Sequence, residues 1–232
     1  MAFLQVLLAY LLGSIPCAYI AGKRLKGLDI RQHGSGNVGA TNVFRVLGQG
    51  PGTVVLLADI AKGWAAAYWL PRLGAPSAAA AWFSGGPMQQ AWWPCVLGLA
   101  AVLGHSYTCF LSFKGGKGVA TSAGVFLGLA PWATLGAVAI FIAVFAISRM
   151  VSLGSLAAAL ALPILVAAFK EWRPVSAMRT VDDLMRRSSD PLARPVLWLA
   201  VALAAVVWVR HIPNIRRILD GTENKFGKKK GA

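Results

Sequence analysis

The sequence predicts an all-α integral membrane protein that crosses a bilayer about seven times, one crossing being short. Two observations carry this prediction. Hydrophobic residues fill 57% of the 232 positions, only 13% are charged, and the mean hydropathy is +0.61, more apolar than a water-soluble domain tolerates. The apolar residues also come in runs near the roughly 20 residues a helix needs to cross a hydrocarbon core, separated by proline, glycine and charge. Little chain is left over, so residues 1–232 read as one polytopic membrane domain ending in a basic cytoplasmic tail, 210–232.

The first run, 3–21, has no positive start, contains Pro16 and is followed at once by Lys23, Arg24 and Lys26. That pattern marks an uncleaved span whose N-terminus lies outside. Further runs cover 52–70 and 91–110. The fourth, 119–130, cannot cross a core roughly 30 Å thick at about 1.5 Å per residue, so the loop before it is expected to dip inward. Its glycine-rich start would aim the positive end of the helix dipole at a sunken anion. Runs 132–147, 151–169 and 195–209 complete the count. With the N-terminus outside, 16 of the 23 Lys and Arg fall on the cytoplasmic face and 7 on the other, the bias that membrane insertion favours. Those 7 are Arg72 and six between Lys170 and Arg194, where Glu171, Asp182, Asp183 and Asp190 offset most of the charge.

The excess of 23 basic over 8 acidic side chains suits a membrane protein that handles anions. Nucleic acid is not expected as a partner, because the basic residues flank apolar runs and do not line one face of a soluble fold. Cys17, Cys95 and Cys109 lie in apolar segments without paired spacing, and His105 with Cys109 makes only two soft ligands. No metal or other cofactor is expected.

Three polar constellations fall on one predicted face. The first runs from Gly34 to Arg45 and offers Ser35, Gly36, Asn37, Gly39, Thr41, Asn42 and Arg45. Small residues let backbone amides approach an anion while Ser, Asn and Thr add neutral donors and Arg45 a charged fork. If a helix begins near Gly39, the spacing puts Asn42 and Arg45 on one face. The plainer reading is a turn with an Asn cap. The second joins His105 to Lys114, Gly115, Gly116, Lys117 and Gly118 at the mouth of the short helix, a phosphate cradle that lacks the spacing of a Walker loop. A snorkelling lysine pair would not need three glycines around it. The third holds His211, Asn214 and Glu223 within the last basic stretch; His211 with Asn214 three residues on can donate hydrogen bonds or move a proton, while most of the surrounding charge, Arg210 included, reads as positive-inside anchoring. Ser152, beside Arg149, is a further candidate for substrate contact. Asp59 and Lys62, at i and i+3, are read as a structural pair.

These motifs together resemble the acyl-phosphate-dependent glycerol-3-phosphate acyltransferases of bacterial phospholipid synthesis, over nearly the whole chain. The resemblance implies transfer of a fatty acyl group from acyl phosphate to the sn-1 hydroxyl of glycerol 3-phosphate, giving lysophosphatidate and phosphate at the start of phospholipid synthesis. It implies a bacterial cell inner membrane as location, a cytoplasm-facing site, and acyl phosphate, glycerol 3-phosphate and membrane lipids as partners. Ser35 and Arg45 would be essential, Gly115, Gly116, Lys117 and Gly118 would serve glycerol 3-phosphate, His211 and Asn214 complete the third motif, and Glu223 is structural. Three departures stand out: Ser106 to Cys109 replaces a more apolar, proline-containing stretch, Pro213 sits between His211 and Asn214, and Val175 to Asp190 lies outside the shared pattern. An acyl phosphate is already an activated anhydride, so direct attack by a well-held hydroxyl suffices: Ser35 and Asn42 would orient the reactants, and His211 or a substrate phosphate would take the proton. The alternative of another class is an organic-phosphate or anion transporter, although the sequence carries no inverted repeat. Nothing in the sequence specifies an oligomeric state.

Overall fold

The computed structural model describes residues 2–73, 87–169 and 195–227. The expectations for the six basic residues between Lys170 and Arg194, for Val175 to Asp190 and for Lys228 to Lys230 lie outside the described residues. Within them, all regular structure is helical: α1 (Ala2–Ser14), α2 (Cys17–Lys26), α3 (Ala40–Leu47), α4 (Gln49–Trp64, continued by a π turn and a 3-10 turn to Arg72), α5 (Pro87–Ser106), α6 (Val119–Leu129), α7 (Pro131–Ser148), α8 (Val151–Ala168), α9 (Pro195–Arg210) and α10 (Ile212–Leu219).

Among the described residues, five stretches are long and apolar enough to span a membrane: Ala2–Lys26, Gln49–Arg72, Trp92–Leu111, Pro131–Ser148 and Val151–Ala168. Helices α9 and α10, bent by 57° at His211, count as a sixth only when joined, and α6 is apolar but short. The protein is therefore a multi-pass helical membrane protein. The first run breaks at Pro16, which has no N–H to continue the ladder. It resumes to Lys26, where Gly27 closes the helix in the left-handed region (φ +65°).

Backbone-to-backbone contact holds these helices together, as expected where lipid gives no hydrophobic incentive to associate. A Cβ on Gly63 of α4 would stand 2.1 Å from the Thr121 carbonyl oxygen of α6, and one on Gly124 of α6 would stand 1.9 Å from that of Ile60. Gly13 and Gly104 let α1 and α5 meet the same way. Beneath α5, α6 and α9 lies a core of Val102, Val125, Phe126, Leu199 and Leu203. The α7–α8 hairpin, turned at Arg149 with φ +57°, packs against α9 through α8. Near the end of α4 away from α3, Trp64 stacks on Tyr68 at 5.1 Å and the Arg72 guanidinium lies 3.8 Å from the Tyr68 ring, an amphipathic cluster suited to a membrane interface.

Candidate active site

One cavity of about 710 Å³ opens where the α2–α3 loop, the α5–α6 loop and α10 converge. The first loop is shaped by two left-handed glycines, Gly34 (φ +63°) and Gly36 (φ +70°), a conformation that costs other residues. Asn42 fastens it: its Oδ1 accepts from the Ser35 N–H at 2.8 Å, and its Nδ2 donates to the Ile30 and His33 carbonyls at 3.0 Å each. Fully buried, Asn42 does not line the cavity, so the expectation that it binds substrate is corrected: its amide is spent on the loop. It also does not share a cavity face with Arg45. Thr41, four residues before Arg45, does. Ser35, Gly36, Asn37 and Gly39 line the cavity as expected. The Arg45 guanidinium lies 5.5 Å from the Phe226 ring. Burial, helped by Arg217, lowers its pKa, while Glu223 opposes the shift.

The second loop is pinned from both sides. Gly115 N–H donates to the Ser106 carbonyl at 3.1 Å and Gly116 N–H to that of His105 at 3.0 Å. Arg210 returns from α9 to donate to the carbonyls of Gly115 at 3.0 Å and Gly116 at 2.9 Å, its guanidinium 5.2 Å from the Tyr107 ring. Two amides expected to cradle phosphate are thus already paired, and Gly115 and Gly116 do not line the cavity; nor does Lys114, which is solvent-exposed. Their lack of side chains serves fit, since a Cβ on Gly115 would lie 2.0 Å from the His105 carbonyl oxygen and one on Gly116 2.2 Å from His105 Nε2. Lys117 and Gly118, at the N-terminus of α6, are the part of the loop that faces inward.

Lys117 Nζ donates to Asn214 Oδ1, whose Nδ2 donates to Glu223 Oε1 at 2.7 Å. Glu223 also accepts from Ser152 Oγ at 2.8 Å and Arg217 Nε at 2.8 Å. Burial alone would raise the Glu223 pKa, but these bonds outweigh it and hold the carboxyl below its usual range. Burial pushes Lys117 down to about 8, with Arg217, Arg45 and Arg210 adding repulsion against the pull of Glu223. His211 sits at the α9–α10 bend, only 2% exposed. Its Nδ1 lies 2.7 Å from the Val207 carbonyl oxygen, and only an N–H on Nδ1 makes that a hydrogen bond, so Nε2 carries the lone pair. The tail then folds back: Phe226 N–H donates to the Arg149 carbonyl at 2.9 Å, and its ring meets Phe145 edge-on at 5.7 Å.

Asp59, Lys62 and His105 form a buried group where α4 meets the end of α5. Lys62 Nζ stands 2.8 Å from Asp59 Oδ1 and donates to the Ile15 carbonyl at 3.0 Å, while His105 Nδ1 is 3.6 Å from the same Asp59 oxygen. Asp59 and His105 line the cavity. Sequence reasoning missed the clamp role of Arg210, together with Tyr107, Arg217, Ser122 and Asn224 in the lining. Only the position of Arg210, one residue before His211, hinted at it. Along α7, α8 and α9 the lining is apolar, with Ala137, Val138, Phe141, Ala158, Leu162 and Leu203.

A family model described as glycerol-3-phosphate acyltransferase matches residues 3–221. The chain is 43% identical over 218 residues to the glycerol-3-phosphate acyltransferase of Geobacter sulfurreducens, covering 94% of each chain. It is 42% identical over 235 residues to that of Chlorobaculum tepidum, covering 97% of each. Two crystal structures of PlsY, an integral membrane glycerol 3-phosphate acyltransferase, superpose on it. The glycerol 3-phosphate form gives a TM-score of 0.76 at 36% identity, covering 97% of this chain and 96% of that one. The lysophosphatidic acid form gives 0.73 at 35%, covering 97% and 95%. These relatives are acyltransferases, not transporters.

Proposed function

This chain belongs to the glycerol-3-phosphate acyltransferase family, and from that premise we propose that it moves a fatty acyl group from acyl phosphate to the sn-1 hydroxyl of glycerol 3-phosphate, releasing lysophosphatidate and inorganic phosphate. The enzyme is an acyltransferase of phospholipid synthesis. The supporting observation is a single cavity whose lining joins two chemistries: the cations Arg45, Lys117, Arg210 and Arg217, and apolar side chains of α7, α8 and α9. Cations suit phosphate groups, and an apolar slot suits an acyl chain.

The donor is already activated, so the residues mainly bind and orient. Lys117 and Arg45 hold phosphate charge, the N-terminus of α6 adds its dipole, and Ser35, at the rim, orients the reacting groups. Asn214 and Glu223 set the position of Lys117. The acceptor hydroxyl attacks the acyl carbon, the carbon–oxygen bond to phosphate breaks, and phosphate leaves with the electron pair. The released proton goes to His211 Nε2 or to a substrate phosphate. Asn42, Gly115 and Gly116 support this machinery through the loops they fasten.

We assign the site to the cytoplasmic face of a bacterial inner membrane and the chain to a single polytopic domain. Counting α6 and α9 with the five long stretches gives seven crossings, N-terminus outside and C-terminus inside, in line with the 16 to 7 division of basic residues. The decisive assay supplies purified protein in detergent with glycerol 3-phosphate and either acyl phosphate or acyl coenzyme A, and follows lysophosphatidate. Product from acyl phosphate alone is expected; product from acyl coenzyme A alone would overturn the donor assignment. A stable acyl-protein adduct formed with labelled acyl phosphate would overturn direct attack.

A further inference from the structure

The cations of the lining bind phosphate, but phosphate is common to many metabolites, and nothing in a guanidinium or an ammonium distinguishes what the phosphate is attached to. The part of the lining built around Asp59 differs in kind. Asp59 lies ten residues along α4 from Gln49, about 15 Å at the helical rise. The charge it brings is balanced by Lys62 at 2.8 Å, so this wall offers polar atoms without net charge.

One of those atoms lacks a partner of its own, and another has acceptor capacity to spare. Ser122 Oγ, in a residue 7% exposed, makes no hydrogen bond among the described residues; Asp59 Oδ1, in one 2% exposed, is the other. Lys62 answers the Asp59 charge at 2.8 Å and His105 Nδ1 stands 3.6 Å from the same oxygen, which leaves a carboxylate oxygen with two acceptor positions room for a further donor. Asp59 and Ser122 line the cavity, as does His105. Buried polar groups are normally satisfied, and one that is not calls for an explanation. A ligand hydroxyl, with one donor and two acceptor positions, is the group that satisfies a carboxylate oxygen and a serine hydroxyl together, and it tolerates a neutral wall where a phosphate would gain nothing.

We propose that Asp59, His105 and Ser122 form a hydroxyl-recognising wall that selects a polyol phosphate acceptor, glycerol 3-phosphate, over phosphates lacking the middle hydroxyl. This rests on the acyl-transfer reading of the site. Lys62 and the Ile15 carbonyl hold Asp59 from behind. Asp59 in turn orients His105, whose ring edge occupies the space a side chain on Gly116 would take.

A site that hydrogen-bonds a substrate hydroxyl rejects the analogue without it, because its own groups are then left unpaired. The test compares glycerol 3-phosphate with the monophosphate of propane-1,3-diol, which keeps the phosphate and the attacking hydroxyl. It uses the full-length enzyme and measures kcat/KM for each acceptor with acyl phosphate as donor. Wild type is expected to prefer glycerol 3-phosphate by about 100-fold, and Ser122→Ala to narrow that ratio by about tenfold, the worth of one hydrogen bond lost. Ser122→Ala removes an oxygen with no protein partner, so folding is not at stake. His105→Gln, which changes the ring but keeps a polar group, should narrow the ratio as well. An unchanged ratio in both variants, or an equal loss on both acceptors, overturns the proposal and leaves acyl transfer standing. Absence of lysophosphatidate from wild type with acyl phosphate overturns the acyl-transfer reading and this inference with it.

Discussion

Lys62, buried, and Lys117, half-buried, are amines near one cavity, yet their surroundings give them opposite uses. Lys62 has a carboxylate at 2.8 Å and a backbone carbonyl at 3.0 Å, so its charge is answered within the protein. Lys117 is bonded to a neutral amide, Asn214, and the nearby carboxylate of Glu223 is already taken by Asn214, Ser152 and Arg217. With Arg45, Arg210 and Arg217 adding repulsion, the charge of Lys117 is incompletely balanced and an anion is the natural complement. The partner's charge separates structure from binding.

Removing the amine of Lys62 tests this contrast most strongly. Lys62→Ala leaves Asp59 as an unpaired buried charge, a loss of about 3–5 kcal/mol in stability, visible as a lowered unfolding temperature in detergent; Lys62→Met combined with Asp59→Asn should recover a large part of it. Lys117→Ala should leave unfolding nearly unchanged while kcat/KM for glycerol 3-phosphate falls by about 100-fold, as loss of a charge-assisted phosphate contact predicts. If Lys117→Ala instead unfolds the protein and Lys62→Ala does not, the contrast is wrong.

Asn42→Ala strands the Ser35 N–H and takes one of two donors from the Ile30 and His33 carbonyls, and should cost about 2 kcal/mol, with a weaker activity loss than Lys117→Ala because Asn42 does not line the cavity. pH offers the finest test. Phosphate binding favours protonated Lys117, and its pKa of about 8 in the free protein means that kcat/KM for glycerol 3-phosphate should decline as pH rises through about 8. Lys117→Ala should abolish that decline; a decline that persists in the variant assigns it to another group.

Much of the fold was legible because a span announces itself by length and hydropathy: the runs 52–70, 91–110, 132–147, 151–169 and 195–209 each coincide with helix. The short helix was legible too, since the loop that precedes it carries the glycines. The division of labour inside the motifs was not. That Asn42 closes a loop depends on Ile30, twelve residues away, and that Arg210 clamps Gly115 and Gly116 spans more than ninety residues. Glycines chosen for closeness to His105 and glycines chosen to expose amides look the same in sequence. The hydroxyl-bearing wall was hidden for a similar reason: Ser122 resembles any small residue of a packed helix until its oxygen is found without a partner.

The folded-back tail sets a timetable for biogenesis. Glu223 and Phe226 reach Ser152 and Arg149 from more than seventy residues downstream, so neither contact can exist until that final stretch has left the ribosome and the last helices have been inserted. A nascent chain halted before residue 223 would carry most of its membrane helices with its lysine anchor still unfastened. Fastening of Lys117 through Asn214 and Glu223 therefore waits for residues made well after the helix that Lys117 precedes.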